Sequence, residues 1–238
     1  MTFGSLFSGC GGLDLGLELA GHNCIWQCEN DQYATSVLAK RWPEVKRYGD
    51  ITKTDWQDAE RPELICGGDP CQGNSNAANV HKRDHADMGS EFIAVVETLR
   101  PRFVLRENPS VVKRDAPWPW HRFRRELHRL GYHVLPFRLR ACCVGHDHKR
   151  ERLFMFAESS DTNSQRPQGF NGEGMSLRIA GGVCGNELWS TQDLLSAPRI
   201  CGAGDGIPHR VDRLRVIGNA VDVRVGMVIG LAMMRAIQ

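Results

Sequence analysis

A cysteine in a Pro-Cys-Gln tripeptide is the side chain best placed in this sequence for nucleophilic chemistry. Pro70-Cys71-Gln72 follows the apolar run of residues 64–66 and a Gly67-Gly68 break. The run predicts a strand, so the thiol lies at its carboxyl end, where open α/β sheets collect ligands. A thiolate is the most reactive side-chain nucleophile near neutral pH. The alternative interpretation is a buried structural cysteine.

A glycine-rich turn after the first predicted strand indicates a second site. The run FSGCGG at residues 7–12 connects that strand to a helix, so tight turning, close backbone approach and unpaired helix N–H groups are available to a ligand. Glu29 ends the second predicted strand, where nucleoside-binding α/β proteins place a carboxylate on ribose hydroxyls. The glycine spacing is not G-x-G-x-x-G, which argues against a nicotinamide enzyme. The alternative is an ordinary glycine-rich turn with a surface glutamate.

The elements that must position these residues alternate along the first 157 residues. Short apolar runs and amphipathic segments follow one another, which predicts an α/β fold with a mostly parallel sheet flanked by helices. The predicted strands are 2–6, 24–28, 64–66, 103–105, 132–139 and 153–157, and the predicted helices are 13–20, 31–42, 90–99, 122–130 and 223–237. Residues 158–206 are rich in Ser, Gly, Asn, Gln and Pro, which predicts a loop-dominated lobe or partial disorder.

Composition excludes several classes of protein. With 238 residues, 41% apolar and 24% charged, the chain is typical of one globular α/β domain with a small appendage. No membrane span or signal peptide is evident, so we expect a cytoplasmic protein. The nine cysteines form no C-x-x-C pair, which favours reduced thiols. Cys142, Cys143, His146 and His148 resemble metal ligands, but adjacent cysteines rarely reach one ion, and we predict no metal site.

Positive charge is concentrated in one stretch. The net charge is +2, but residues 121–152 hold nine arginines and lysines against three acidic residues. A second basic stretch lies at residues 209–215. Such clusters can follow a phosphate backbone, although a solvated helix face explains part of the first one.

Five motifs in order identify a family resemblance. They are FSGCGGLDLGLELAG, GGDPCQ, ENP, KRERLFMFA and RVIGNAV. In this order they resemble the cytosine-5 DNA methyltransferase family, and they touch nearly the whole chain outside the Ser-rich region. The resemblance implies a Rossmann-like methyltransferase fold, with a catalytic and cofactor-binding domain at 1–157, a small target-recognition region at 158–206 and a C-terminal segment at 207–238 that packs back on the domain.

The resemblance also implies site residues. For S-adenosylmethionine it implies Phe7, Gly9 and Gly11 at the methionine moiety, Glu29 at the ribose, Asp50 and Ile51 at the adenine, and Asn219 closing the pocket. It implies Cys71 as nucleophile, Glu107 beside Asn108 as the acid at cytosine N3, Arg150 as the arginine that orients the base, and Gln72, Ser75 and Arg152 at the DNA.

The chemistry explains these residue types. Cytosine C5 is a weak nucleophile, so a thiolate adds to C6 and a protonated carboxyl neutralises N3. An arginine stabilises developing charge, and the base must be flipped out of the duplex. Local alternatives stay open: Glu107 in an ion pair with Arg106 or Arg150, Asn219 as a helix cap, and Arg150 and Arg152 as sheet-edge charges.

Several positions depart from the family pattern. Asp69 precedes Pro70 where an apolar residue or proline is common, and Asp222-Val223 replaces an apolar-proline pair. Only residues 159–203 are available for target recognition, which implies short or relaxed specificity and resembles a compact bacteriophage or mobile-element enzyme. We expect a monomer acting on double-stranded DNA. The alternatives are a tRNA cytosine-5 methyltransferase on the same scaffold and a non-catalytic DNA-binding relative.

Overall fold

Seven strands form one sheet in the computed structural model, which describes residues 1–70, 88–109, 118–146, 150–160 and 220–237. The strands are β1 (Thr2–Leu6), β2 (Asn23–Cys28), β3 (Lys46–Tyr48), β4 (Leu64–Gly67), β5 (Phe103–Pro109), β6 (Tyr132–Arg140) and β7 (Glu151–Ser159). Their order is β3-β2-β1-β4-β5-β7-β6. The first five pair in parallel, whereas β7 runs antiparallel to both β5 and β6. The prediction of a mostly parallel α/β sheet is confirmed.

Helices cover both faces of the sheet. They are α1 (Gly12–Leu19), α2 (Gln32–Arg41), α3 (Gly89–Leu99), α4 (Trp118–Arg129) and α5 (Val223–Ile237). The sequence explains their ends. Asp31 accepts a hydrogen bond from the Ala34 N–H at the start of α2, and Pro43 follows its last residues.

The sequence prediction missed one strand and ended another too early. β3 was missed, because its three residues, Lys-Arg-Tyr, carry no apolar run. The strand predicted at 103–105 continues to Pro109, so Glu107 lies inside β5 and pairs with Phe154 of β7. Polar residues in a strand gave no periodic signal, yet the neighbouring strand supplies the ladder that keeps them extended.

Side chains of β4 and β5 alternate between two cores. Ile65 and Val104 pack with α3 and α4 on one side, called here the α3–α4 face. Leu64, Cys66, Phe103 and Leu105 pack on the other, the α1–α5 face. Because strand side chains alternate with a period of two, Arg106 and Glu107 must leave β5 on opposite faces.

The last helix closes the α1–α5 face. Val225, Ile229 and Met233 of α5 are buried against Leu13 and Leu17 of α1. Gly16 and Gly226 meet where the helices cross, since a Cβ on Gly16 would lie 2.7 Å from the Gly226 Cα. Among the described residues, no helix is both long and apolar enough to cross a membrane.

Candidate active site

The turn after β1 is shaped by left-handed backbone. Phe7, Gly9 and Gly11 have φ values of 54°, 56° and 79°. At Gly11 the glycine is also required by space, because a Cβ there would lie 2.4 Å from the Trp42 ring. At Gly9 a Cβ would meet no heavy atom within 4 Å, so the backbone borders open space among the described residues. At Gly9 the turn can therefore present its peptide groups directly to a ligand.

Glu29 holds this turn against the end of β2. Its Oε2 accepts a hydrogen bond of 2.7 Å from the Gly9 N–H, and its Oε1 accepts one of 2.8 Å from the Asp31 N–H. Each carboxylate oxygen can accept more than one hydrogen bond, so both retain capacity for a hydroxyl donor. The carboxylate is thus oriented in advance, as a ribose-binding group requires.

The two residues expected at the adenine behave differently. The Asp50 carboxylate accepts hydrogen bonds from the N–H and hydroxyl of Thr52, at 3.0 and 2.7 Å. Ile51 is only 6% exposed and belongs to the core of the α3–α4 face. Asp50 therefore forms the local turn, and Ile51 can offer a ligand its backbone and the edge of a core side chain.

A buried carboxyl behind the turn was missed by sequence reasoning. Asp14 of α1 is fully buried and accepts hydrogen bonds from Ser5 Oγ at 2.7 Å and Gln27 Nε2 at 2.8 Å. Burial raises its pKa to about 6. The available signal was its place three residues before Leu17, on the helix face that packs inward. Asp14 joins β1, β2 and α1 beneath the turn.

Glu107 is the buried acid of the candidate active site. It is 5% exposed, and its Oε2 packs on Gly68, where an added Cβ would lie 2.6 Å from that oxygen. Arg152 Nε lies 2.8 Å from Glu107 Oε1, in a pair whose side chains are 16% and 6% exposed. The Arg152 N–H is not aimed along a hydrogen bond to that oxygen, so the contact is an ion pair.

Burial dominates the protonation of Glu107. It raises the pKa of this carboxyl to about 7, against the lowering effects of Arg152 and Arg150, and the charge of Asp69 adds to the rise. A carboxyl with this pKa exists in both protonation states near neutral pH, as a group that gives and takes a proton requires. Glu107 therefore has the environment expected of a general acid.

Arg150 and Arg152 have different partners. The predicted base-orienting residue, Arg150, precedes β7, and its Nη2 donates a hydrogen bond of 2.6 Å to the Ala220 carbonyl. Arg152, which the resemblance places at the DNA, is the arginine in contact with the Glu107 carboxylate. For Arg152 the sheet-edge alternative is wrong, because its strand, β7, lies between β5 and β6.

The residues just before and at the start of α5 contact residues 145 and 146, close in sequence to Arg150. His146 Nε2 lies 2.8 Å from an Asp222 oxygen, and Arg224 Nη1 donates a hydrogen bond of 3.2 Å to the Gly145 carbonyl. Asp222 also accepts a hydrogen bond from the Arg224 N–H at the start of α5. The unusual aspartate at position 222 is therefore a helix cap that also pairs with His146.

Several predicted residues lie outside the described residues: Cys71, Gln72, Ser75, His148, Asn219 and the recognition region beyond residue 160. Their roles stay predictions. Three other cysteines, Cys66, Cys142 and Cys143, are described and can be compared as possible nucleophiles. Cys66 is fully buried with a strongly raised pKa, whereas Cys142 is exposed and Cys143 half-buried on a short 3₁₀ helix (Ala141–Val144). Among described residues no group of His, Cys, Asp or Glu is arranged to hold a metal ion.

Ion pairs neutralise part of the basic stretch. Arg138 and Arg140 lie 3.7 and 2.8 Å from Glu151 oxygens. Arg129 pairs with Glu126 and Glu97 at 2.9 and 3.1 Å. Arg125 also lies 3.9 Å from a Glu126 oxygen. Arg122, Arg124 and Arg125 are all exposed near the start of α4, and they are the candidates in this stretch for phosphate contacts.

Solved structures share this architecture. A prophage-encoded protein of E. coli, named as a DNA modification methyltransferase, aligns with a TM-score of 0.55 and 24% identity over 67% of this chain and 47% of its own. Spodoptera frugiperda DNMT2 aligns with a TM-score of 0.55 and 20% identity over 68% of this chain and 51% of its own. The strand order and these neighbours define a Rossmann-like α/β fold.

Sequence comparison gives the family. The profile of the C-5 cytosine-specific DNA methylases matches residues 1–177. The chain belongs to this family, as its five motifs predicted. The Type II methyltransferase M.DdeI of Desulfomicrobium norvegicum is 30% identical over 171 residues, which are 68% of this chain and 41% of that protein. M.HhaI of Haemophilus parahaemolyticus is 30% identical over 172 residues, covering 71% and 52%. The chain thus spans about half the length of these relatives.

Proposed function

We propose that this chain is a DNA cytosine-5 methyltransferase that uses S-adenosylmethionine. The observation that carries the proposal is the Glu107 carboxyl, which is buried against Gly68, paired with Arg152 and titrates with a pKa of about 7. In the sequence Cys71 follows Gly68 by three residues. A proton donor and a thiol thus come from neighbouring strand ends, which is the pair that addition to cytosine needs.

The protein residues divide the reaction between them. The Cys71 thiolate forms a bond to C6, and the electron pair displaced from the C5–C6 double bond is accommodated as N3 takes the proton of Glu107. Arg152, at 2.8 Å from the same carboxyl, holds it in place and favours the carboxylate that remains. C5 would then use the displaced electron pair to bond the methyl group that the cofactor supplies. A base takes the C5 proton, the electrons of that C–H bond restore the C5–C6 double bond as the Cys71–C6 bond breaks, and N3 returns its proton to the Glu107 carboxylate. The choice of Arg152 over Arg150 for this role rests on its contact with Glu107.

The cofactor site fits the turn after β1. When bound, S-adenosylmethionine supplies the electrophilic methyl group. Open space over Gly9, the left-handed backbone at residues 7, 9 and 11 and the pre-oriented Glu29 carboxylate suit a ligand with an amino-acid end and a ribose. Asp50 and Ile51 would border the adenine, and Arg150 would help place Asn219 by fixing the carbonyl of its neighbour Ala220.

The substrate proposal is duplex DNA with a flipped target cytosine. Buried Glu107 cannot reach a stacked base, so extrusion is required. Gln72 and Ser75 would contact the DNA, the exposed arginines of α4 would hold phosphates, and residues 159–203 would select sequence. We place the protein in the cytoplasm as a monomer, in a restriction-modification or phage setting. The motifs and relatives support this role.

The test compares substrates and sequence contexts directly. Methyl transfer to duplex DNA and to tRNA should be measured with wild type and with Cys71→Ser as the inactive control. Bisulfite sequencing of DNA from expressing cells would report the methylated context. We expect methylated DNA only with the wild type. Methylation of tRNA without DNA methylation would move the function to the tRNA alternative, and DNA binding without any methyl transfer would favour the non-catalytic one.

A further inference from the structure

A buried ion pair lies beside the candidate acid and outside the family pattern. Arg106 Nε and Nη2 each donate a hydrogen bond of 2.6 Å to Asp69, one to each carboxylate oxygen. The two side chains are 1% and 3% exposed. The Arg106 guanidinium carbon also lies 4.1 Å from the Phe123 ring centroid and 5.2 Å from that of Trp120. The guanidinium is therefore held by a fork of hydrogen bonds and by two rings.

Stability alone does not account for such a pair. Charges lose their hydration on burial, and apolar residues of similar volume often stabilise a fold at least as well. Within the described residues, Arg106 Nη1 has no hydrogen-bond partner, which adds to the desolvation cost. What a bidentate arginine–carboxylate pair provides is a fixed geometry between two segments.

The segments it joins are those that carry the proposed chemistry. Gly67 of β4 pairs with Arg106 of β5, and two residues later the Asp69 carboxylate reaches back to that arginine on the α3–α4 face. Glu107, the next residue of β5, leaves on the α1–α5 face and packs on Gly68, the residue before Asp69. The ends of β4 and β5 are thus in contact on both faces of the sheet, through Asp69 and Arg106 on one face and through Gly68 and Glu107 on the other.

We propose that Asp69 and Arg106 are positioning residues that fasten the chain leading to Cys71 onto the strand that carries Glu107. The proposal rests on the proposed function, because it assigns the pair to the spacing between nucleophile and acid. Neither residue touches the base. A shift of about 1 Å in such a spacing lowers a rate by about 100-fold.

The first test removes both charges together. Asp69→Leu/Arg106→Met leaves no unpaired buried charge, so it is the variant best able to fold. Single-turnover methyl transfer to duplex DNA should fall about 10- to 100-fold, while calorimetric affinity for S-adenosylmethionine and the KM for DNA stay within about twofold. Arg106→Lys keeps the charge but loses the two-pronged hydrogen bonding, so its single-turnover rate should lie between those of the wild type and the double variant. A double variant that is folded and transfers methyl groups at the wild-type rate would overturn the proposal.

A matched control lies at the other end of the same strand. Arg102 precedes β5, lies 4.6 Å from the Phe103 ring centroid and pairs with Glu158 at 3.3 Å. Arg102→Met removes an arginine that is less buried than Arg106 and lies just before β5, at the end of the strand away from Glu107. Its single-turnover rate should equal that of the wild type. An equal loss of rate in both variants would mean that removing an arginine in or next to β5 acts only through the fold, and it would overturn the proposal.

A second readout needs no substrate. Glu107 is faced by Arg152 and Arg150 from the β7 side and by Asp69 from the β4 side, and Asp69 raises its pKa. Carbon-13 NMR of the Glu107 carboxyl should show a lower midpoint in Asp69→Asn than in wild type, and an unchanged midpoint would contradict the coupling. If the wild type methylates neither DNA nor tRNA, the proposed function fails, and this titration still decides whether Asp69 and Glu107 are held together.

Discussion

The two halves of the candidate site are built from different materials. Around the turn after β1, the polar contacts are hydrogen bonds. The Gly9 N–H donates to the Glu29 carboxylate, and the side chains of Ser5 and Gln27 donate to the Asp14 carboxylate. Around β4, β5 and β7, charged side chains are buried in contact with one another: Asp69, Arg106, Glu107 and Arg152. The first half is suited to binding, whereas the second holds a titratable group in a low-dielectric setting.

This difference explains why the binding half contains glycines and the half around Glu107 contains charged partners. A peptide-lined turn needs φ > 0 and small residues, as at Gly9 and Gly11. A proton donor needs desolvation to raise its pKa and an arginine to limit the rise, as at Glu107. Changes in the first half should therefore weaken ligand affinity, and changes in the second should lower the rate.

The largest expected effect is on the chemical half. Glu107→Gln removes the proton donor and should lower single-turnover methyl transfer by about 10²- to 10⁴-fold, with cofactor affinity unchanged. Because the reactive form is protonated and the pKa is about 7, the wild-type rate should fall as pH rises above about 7. Rapid-quench measurements over pH 6–9 check both points. A variant with a near-normal rate and the same alkaline decline would exclude Glu107.

The next effect is on stability, because the half of the site around the β1 turn also contains a buried carboxyl, that of Asp14. The pKa of Asp14 rises from 3.8 in the unfolded chain to about 6, so the folded state binds more protons between these values. Its contribution to stability is complete below pH 3.8 and is lost as pH rises through about 6, by about 3 kcal/mol at 1.36 kcal/mol per pH unit.

Urea unfolding at several pH values tests this contribution. Glu107 also titrates between 4.5 and about 7, so the informative quantity is the difference between wild type and Asp14→Asn, in which Glu107 is unchanged. That difference should change by about 2 kcal/mol across pH 4 to 6, most of the total of about 3 kcal/mol. A constant difference would show that Asp14 is not desolvated as described.

A smaller effect is expected in ligand binding. Glu29→Ala removes the proposed acceptor for the ribose and releases the Gly9 and Asp31 N–H groups, so affinity for S-adenosylmethionine should fall by about 1.5 to 3 kcal/mol, or about 10- to 100-fold. Calorimetry measures this, and Glu29→Gln, which keeps one acceptor, should lie between. An affinity within about twofold of wild type would remove Glu29 from the site.

The smallest effect concerns neither half of the site. Neutralising Arg122, Arg124 and Arg125 together should weaken binding to all DNA sequences and reduce the slope of log affinity against log salt by up to about 3. Exchanging residues 159–203 should instead change the methylated context. If the arginine variant changed the methylated context and kept its affinity, the assignment of affinity to these arginines and of context to residues 159–203 would be wrong.

The sequence predicted the binding half better than the chemical half. Glycine turns and strand-end carboxylates are local patterns, so the turn and Glu29 could be placed without a structure. The extension of β5 to Pro109, the short β3 and the insertion of antiparallel β7 depend on pairing with distant strands. The Arg106–Asp69 and Arg152–Glu107 pairs join residues 37 and 45 positions apart, so no local spacing could reveal them.

The most direct test of the central claim is covalent capture. Duplex DNA containing 5-fluorocytosine, incubated with protein and S-adenosylmethionine, should give an adduct that mass spectrometry maps to Cys71, because fluorine at C5 cannot leave as a proton. Cys71→Ser should give none, since its hydroxyl is far less ionised than a thiol, and Glu107→Gln should form the adduct about 10²- to 10⁴-fold more slowly. An adduct that persists undiminished in Cys71→Ser, or maps to Cys142 or Cys143, would contradict the account.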